Sequence, residues 1–391
     1  MKYCSYFAIW LFLLSTISCP KPSEETNCGT GMYLEDDTCA CIPNAHLIDN
    51  GETCECDSLF HWNEDFSECL LDTSSHAFMW EIYKFGSHLS YIKDIAIVNA
   101  NDIWCVGYVQ TDTAIYNALH WDGQEWELML ISPRGNVGPI GSVFAISETD
   151  IWFEKWNLPI HWDGERFIKF TPAESGFPSG TINRIWATST SNIYFLGDNG
   201  RLINYNGLIF SQINCSNEVD ILDVAEYGEN KLWLIGYSEE TNRTMISSNS
   251  NGSWQTYYDS DNINGNSFNL YGAWAQAVWS TSDYIYFPTY LSLTAYNVVT
   301  EKITYGNWSE LIERDQINAI GISGNNENDI FVLSDPEGAM HFNGNSWVIQ
   351  NLPTSEHWLL SIEQSQNLVI ITGTTPDNSE AIVIVGSRSE I

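Results

Sequence analysis

The chain has 391 residues, 44% apolar and 14% aromatic, with 15 basic against 50 acidic side chains and a formal charge of −35. That length allows one large domain with a small companion. A surface so acidic repels phosphate backbones and anionic headgroups, which excludes nucleic acid as a partner.

At the N-terminus, Lys2 precedes an apolar run from Tyr6 to Ser18, "YFAIWLFLLSTIS". The run is short for a membrane span and sized for the apolar region of a signal peptide, so residues 1–18 are expected to be a signal. Thr16 and Ser18 are small residues where a signal peptidase reads, which makes Cys19 the first mature residue. A polar tether, residues 19–27, follows. The segment resembles a bacterial lipoprotein signal, with Thr16 where that signal usually has leucine. The resemblance implies lipidation of the Cys19 thiol, a membrane partner through that lipid, and an extracytoplasmic address at the outer membrane or cell surface. Ordinary secretion after cleavage at the same bond is the alternative. Cysteine parity fits lipidation: beyond Cys19 eight cysteines remain, six from Cys28 to Cys69 plus Cys105 and Cys215.

Residues 28–72 form the next region. Cys28, Cys39, Cys41, Cys54, Cys56 and Cys69 follow the pattern C-x10-C-x-C-x12-C-x-C-x12-C. Cys39, Cys54 and Cys69 end similar leads, "MYLEDDTC", "LIDNGETC" and "HWNEDFSEC", each read as a strand into a tight acidic turn. So few large apolar side chains cannot hold a core, and an exported chain favours disulfides over a zinc site. The pairing stays open, because six cysteines allow fifteen arrangements. The C-x-C pairs and hairpin-sized intervals resemble EGF-like modules, which implies a stalk or spacer.

From residue 77 the pattern changes. "NDIWCVGY" (Asn101 to Tyr108) returns as "TDIWFEKW", "SNIYFLGD", "NKLWLIGY", "DYIYFPTY", "NDIFVLSD" and "NLVIITGT". The aromatic position falls at 104, 152, 194, 233, 286 and 331, with Ile370 seventh, at intervals of 39 to 53 residues. Such intervals belong to four-stranded propeller blades. The fold class expected for residues 77–391 is therefore all-β, a seven-bladed β-propeller. The last repeat has room for a third strand but none for a fourth, whereas "AFMWEIYKF" (Ala77 to Phe85) precedes the first innermost strand. That segment is expected to close the seventh blade. Helical periodicity is confined to "SELIERD" (Ser309 to Asp315).

The third and fourth strands of several repeats meet at "WDGQEW", "WDGERF", "YNGLIF" and "FNGNSW". Asp-Gly and Asn-Gly favour tight hairpins because both central positions can take positive φ, and the flanking aromatics then pair across the strands. Asp122 and Asp163 alternate with Asn206, Asn251 and Asn343, an exchange that suits a turn and would ruin a general acid. His120, His161 and His341 occupy matching places in different blades and read as strand residues, not a metal site.

No catalytic, metal or cofactor motif emerges. The aromatic-Asp-Gly turns are similar to the Asp-boxes of sialidases, but among seven arginines only Arg184 falls on an innermost strand. "DSDNINGN" (Asp259 to Asn266) approaches a calcium loop and then places Tyr271 where the closing glutamate belongs. Most tryptophans keep the repeat register. Trp156, Trp274, Trp308 and Trp358 do not, and are the candidates for stacking on a sugar. Cys105 and Cys215 are expected to be buried thiols. The longer loops, 132–141, 171–180, 259–269 and 307–316, share one face, where binding usually resides. Overall the chain resembles bacterial secreted propellers built from "DIW…G…HWDG-x-x-W" repeats. The expected function is a lipid-anchored binding or scaffold module for an extracellular protein or glycan. The alternative is a carbohydrate-active enzyme, hydrolase or glucosyltransferase-like, using the same face.

Overall fold

The computed structural model describes residues 32–35, 38–48, 53–57, 60–62, 69–71, 73–215, 219–227, 231–250, 253–262, 270, 275–335, 338–353 and 358–388. The expected signal, the tether, Cys19 and Cys28 lie outside these residues, as do Trp274 and most of the 259–269 loop. The chain divides into two compact units, Met1–Asp72 and Thr73–Ile391. Among the described residues no helix is long and apolar enough to cross a membrane.

Among its described residues the first unit holds three two-stranded hairpins, Met32–Glu35 with Thr38–Cys41, Ala45–Ile48 with Thr53–Cys56, and Phe60–Trp62 with Cys69–Leu71. Disulfides join Cys41 to Cys54 and Cys56 to Cys69, and Cys39 is disulfide-bonded as well. The Cys54 and Cys56 pair thus carries one sulfur for the hairpin before it and one for the hairpin after. The fifteen-residue repeat is the spacing of that ladder.

The second unit is a seven-bladed propeller of four-stranded antiparallel sheets. Blade one runs outward through Tyr91–Asn99, Asp102–Gln110, Ile115–Trp121 and Trp126–Met129. The innermost strands of blades two to seven are Ser142–Ser147, Arg184–Ser189, Asp220–Tyr227, Trp279–Ser280, Ala319–Asn326 and Trp358–Ser365. Second strands are apolar along most of their length, because both their faces are buried between neighbouring blades. Every residue of Asp329–Ser334 is buried, for example. Their aromatics fill the wedges between blades: Trp152 is 1% exposed and stacks on His161 and Phe170, with Phe195 edge-on.

The expected closure is present. Met79–Phe85 pairs antiparallel with Ala381–Ser387, Ile82 opposite Ile384, as the outermost strand of blade seven. One sheet therefore contains both ends of the unit. Two short helices interrupt the loops, Pro172–Ser175 and Trp308–Leu311. The second lies in the only segment with helical periodicity.

The hairpin turns need one correction. In "WDGQEW" only Gly123 takes positive φ, at 89°, and Gly164, Gly207 and Gly344 repeat this. The preceding residue acts through its side chain: Asp122 Oδ1 accepts from the Gln124 and Glu125 N–H groups at 2.8 and 2.9 Å. Asn206 and Asn343 accept in the same way. Side-chain acceptance, common to Asp and Asn, explains the exchange. Those N–H groups hold the Asp122 carboxyl below its ordinary range, the opposite of what a general acid requires. The flanking aromatics pair as expected, Trp121 with Trp126 at 5.5 Å and Trp162 with Phe167 at 4.7 Å between ring centroids.

Candidate functional site at the channel mouth

Strand polarity assigns the loops to two faces. Connections from first to second and from third to fourth strands share one, and are short. The opposite face carries the second-to-third hairpins and the blade-to-blade crossings, including residues 130–141, 170–183 and 308–318. Scarce cations gather at this variable end. Of the thirteen lysines and arginines from Lys84 onward, only Arg166, Lys231, Lys302 and Arg388 lie at the other end. The two exposed tryptophans among the described residues, Trp156 (49%) and Trp358 (51%), are also at the variable end.

Trp156 forms the tip of a hairpin with Asn157, both at positive φ (54° and 64°). A bulky residue in that region is strained and persists only when its surroundings hold it. Here Asn157 Oδ1 accepts from Ile182 N–H of the next blade at 3.0 Å. The ammonium groups of Lys155 and Lys169 lie 5.6 and 5.8 Å from the Trp156 ring centre. The buried Lys155 donates to the Ile131 and Asn136 carbonyls, and burial pulls its ammonium down to about 8. Trp308, by contrast, is a core residue with its Nε1 donating to the Thr289 carbonyl.

The channel is bounded by the innermost strands and holds two compartments, of about 310 and 270 Å³. Its polar side chains stitch successive blades together. Asp94 Oδ2 in blade one accepts from Ser142 Oγ and Val143 N–H in blade two at 2.7 and 3.0 Å. Ser142 Oγ accepts from Ile185 N–H in blade three. Asp223 Oδ2 accepts from Val278 N–H toward blade five, Ser323 Oγ from Gln364 N–H in blade seven, and Glu363 Oε1 from Ile97 N–H in blade one. Arg184 Nε stands 3.1 Å from Asp223 Oδ1. Arg184 is 44% exposed, but to the channel interior.

Enclosure shifts these groups. Burial raises the Asp223 carboxyl against the opposing pull of Arg184. Burial, with Asp94 adding to it, pushes Glu363 up to about 8. An acid raised in the folded state keeps its proton while the unfolded chain loses one, so stability falls as pH rises from about 4.5 to 8. Glu363→Gln removes that cost and keeps an acceptor for Ile97 N–H. Urea denaturation should show the variant more stable by roughly 2 kcal/mol at pH 8.5, with the two proteins converging near pH 4.5. Equal stability at both pH values would refute this account.

The three histidines are strand residues with a further role. His120 Nε2 lies 2.8 Å from Asp102 Oδ1, and the ring stacks on Trp104 at 4.2 Å. His161, Asp150 and Trp152 repeat the arrangement, as do His341, Asp329 and Phe331. In blade three the pair becomes Asn204 and Asn192, at 3.0 Å. The signal was in the sequence: within the repeats, the residue two before the aromatic changes together with the one before the turn aromatic. Cys105 and Cys215 are free and buried, as expected, and belong to the non-adjacent blades one and three. Asp259, of the calcium-like loop, is engaged by Arg243 through two nitrogens at 2.9 and 2.7 Å.

No protein-family profile matches the chain, and no curated protein matches it in sequence. Solved structures do. One, described as YCF48 bound to D1 peptide, aligns at 11% identity and TM-score 0.59 over 82% of this chain and 98% of that one. A B. thetaiotaomicron one-component system extracellular domain aligns at 13% and 0.54, over 79% of this chain and 40% of that one. A chain of the mitotic checkpoint complex aligns at 11% and 0.55, over 79% and 94%. At such identities the likeness is one of fold: this chain is built as those propellers are.

Proposed function

We propose that the chain is an extracytoplasmic binding or scaffold propeller that holds an extended peptide or protein segment on its variable-loop face, tethered to a membrane through lipid on Cys19. The carrying observation is the gathering of the scarce cations and both exposed tryptophans at that end. The disulfides fit an oxidising compartment. A propeller of similar fold is described with a bound peptide. A glycan is the second reading for the ligand, favoured by the exposed rings of Trp156 and Trp358. Carbohydrate-active chemistry is not favoured, since the turn aspartates are acceptors for backbone N–H groups and the channel carboxylates bridge blades.

The test takes the mature chain to peptide and glycan arrays, then repeats any binding with Gly-Ser replacement of residues 132–138 and of 171–176. The reading expects binding to fall at least about tenfold with one of these and to persist with Asp122→Asn on the opposite face. Binding indifferent to both replacements and lost with opposite-face changes would reject it. For the anchor, mass spectrometry of the membrane fraction should find a diacylglycerol adduct on the N-terminal cysteine, absent in Cys19→Ser.

A further inference from the structure

Both channel compartments are lined by Arg184 and Asp223, together with Asp94, Ile322, Ser361 and Ile362, so this pair belongs to the boundary between them. The smaller compartment opens at the variable end, where Lys93 and Asn183 also line it. Arg184 is used sparingly. Arg243 and Arg388 each set two hydrogen-bonding nitrogens on a carboxylate, whereas Arg184 meets Asp223 as an ion pair that is closest at Nε. Its two Nη groups have no partner among the described residues. Lys93 likewise makes no ion pair among them, although its charge is felt by Glu154 without a bond between them.

Of the carboxylates whose charge acts on Arg184, namely Asp223, Asp94 and Glu363, only Asp223 stands within ion-pair distance of it. Asp94 is occupied by Ser142 and Val143, and Asp223 by the N–H groups of Val224 and Val278 besides Arg184 Nε. A guanidinium held by Nε leaves its end-on pair of N–H donors open, the fork that matches a carboxylate's two oxygens. A space of about 270 Å³ accepts a carboxylate and the few atoms attached to it, entering end-on, and not a folded surface.

We propose that the mouth compartment is a carboxylate subsite, in which the two Nη groups of Arg184 grip the ligand's carboxylate and Lys93 supplies the second cation. The carboxylate belongs either to the C-terminus of a peptide or to a small free organic acid. The proposal rests on the variable face being the ligand face and says what that face selects.

The experiment titrates the full mature chain by ligand-observed NMR and calorimetry with N-acetyl-Ala-Ala as free acid, its C-terminal amide, and succinate. Free-acid binding with no binding of the amide supports the subsite and assigns it to chain ends. Binding of succinate without the peptide supports it and assigns it to small acids. Binding of neither acid at millimolar concentration, or equal binding of acid and amide, overturns it. Arg184→Gln should weaken the acid about tenfold or more, and Lys93→Met, which breaks no ion pair, severalfold with unchanged urea stability. If a ligand found on the arrays is lost with loop replacement yet indifferent to both substitutions, the subsite is wrong and the variable-face reading stands. Indifference to all of them defeats both.

Discussion

Asp329→Ala should destabilise the propeller by about 3–5 kcal/mol, read as a lower midpoint in urea with unchanged slope, because it strands buried partners. Asp329 is 2% exposed and receives both Arg388, through Nη1 at 3.0 Å and through Nη2, and His341 at 2.8 Å. His341 is fully buried and meets His76 at 2.8 Å, and Ser74 Oγ donates to Asp329 at 3.2 Å. This cluster joins the segment entering the propeller, blade six and the end of the last strand, so it secures the closure that Met79–Phe85 makes by strand pairing. Burial alone would raise the Asp329 carboxyl, but hydrogen bonds from His341 and Arg388 hold it well below its usual range. Its contribution is therefore present above about pH 4 and fades as acid protonates it. His76 is lowered by burial first and by His341 second, so the folded state resists its protonation and stability also declines below about pH 6.5. A double-mutant cycle with Arg388→Ala should give a coupling above about 1 kcal/mol. Additive losses would mean the cluster does not act as a unit.

Trp152→Ala should cost a similar amount, about 3–5 kcal/mol, through the cavity it opens between blades two and three. The ring is in contact with His161, Phe170, Phe195 and Tyr205, at centroid distances of 4.4 to 5.7 Å, and its Nε1 donates to Asp150. Trp358→Ala, at a residue half exposed on the variable face, should stay within about 0.5 kcal/mol. The same urea titrations compare them. A loss below 1 kcal/mol at Trp152, or a large one at Trp358, would mean that the repeat register does not separate core from ligand-facing tryptophans. That separation matters for function, since only rings spared from packing are free to meet a ligand.

How far the sequence reached can be followed through single residues. The spacing of Trp104, Trp152, Tyr194, Trp233, Tyr286 and Phe331 announced a ring of blades, because each blade must bury one apolar strand on both faces and the chain repeats that requirement. Closure by Ala77 to Phe85 followed from counting strands. Turns at Asp122 and Asp163 were legible as turns, although the reason was side-chain acceptance and not a second positive φ. The His120–Asp102 pairing was available in the repeats and becomes clear only once the strands are set in register.

Sequence periodicity alone thus determined the architecture and the number of blades, since both are imposed by local spacing and repeated burial, and it left the pairing of the cysteines to the structure. Tertiary structure alone decided which side chains reach the channel, that Arg184 keeps free donors there, that Trp156 and Trp358 are exposed while Trp308 is not, and that Asp329 gathers partners from both ends of the unit. Those outcomes depend on contacts between residues tens to hundreds of positions apart, and no local pattern encodes which side chains a closed ring will bring face to face.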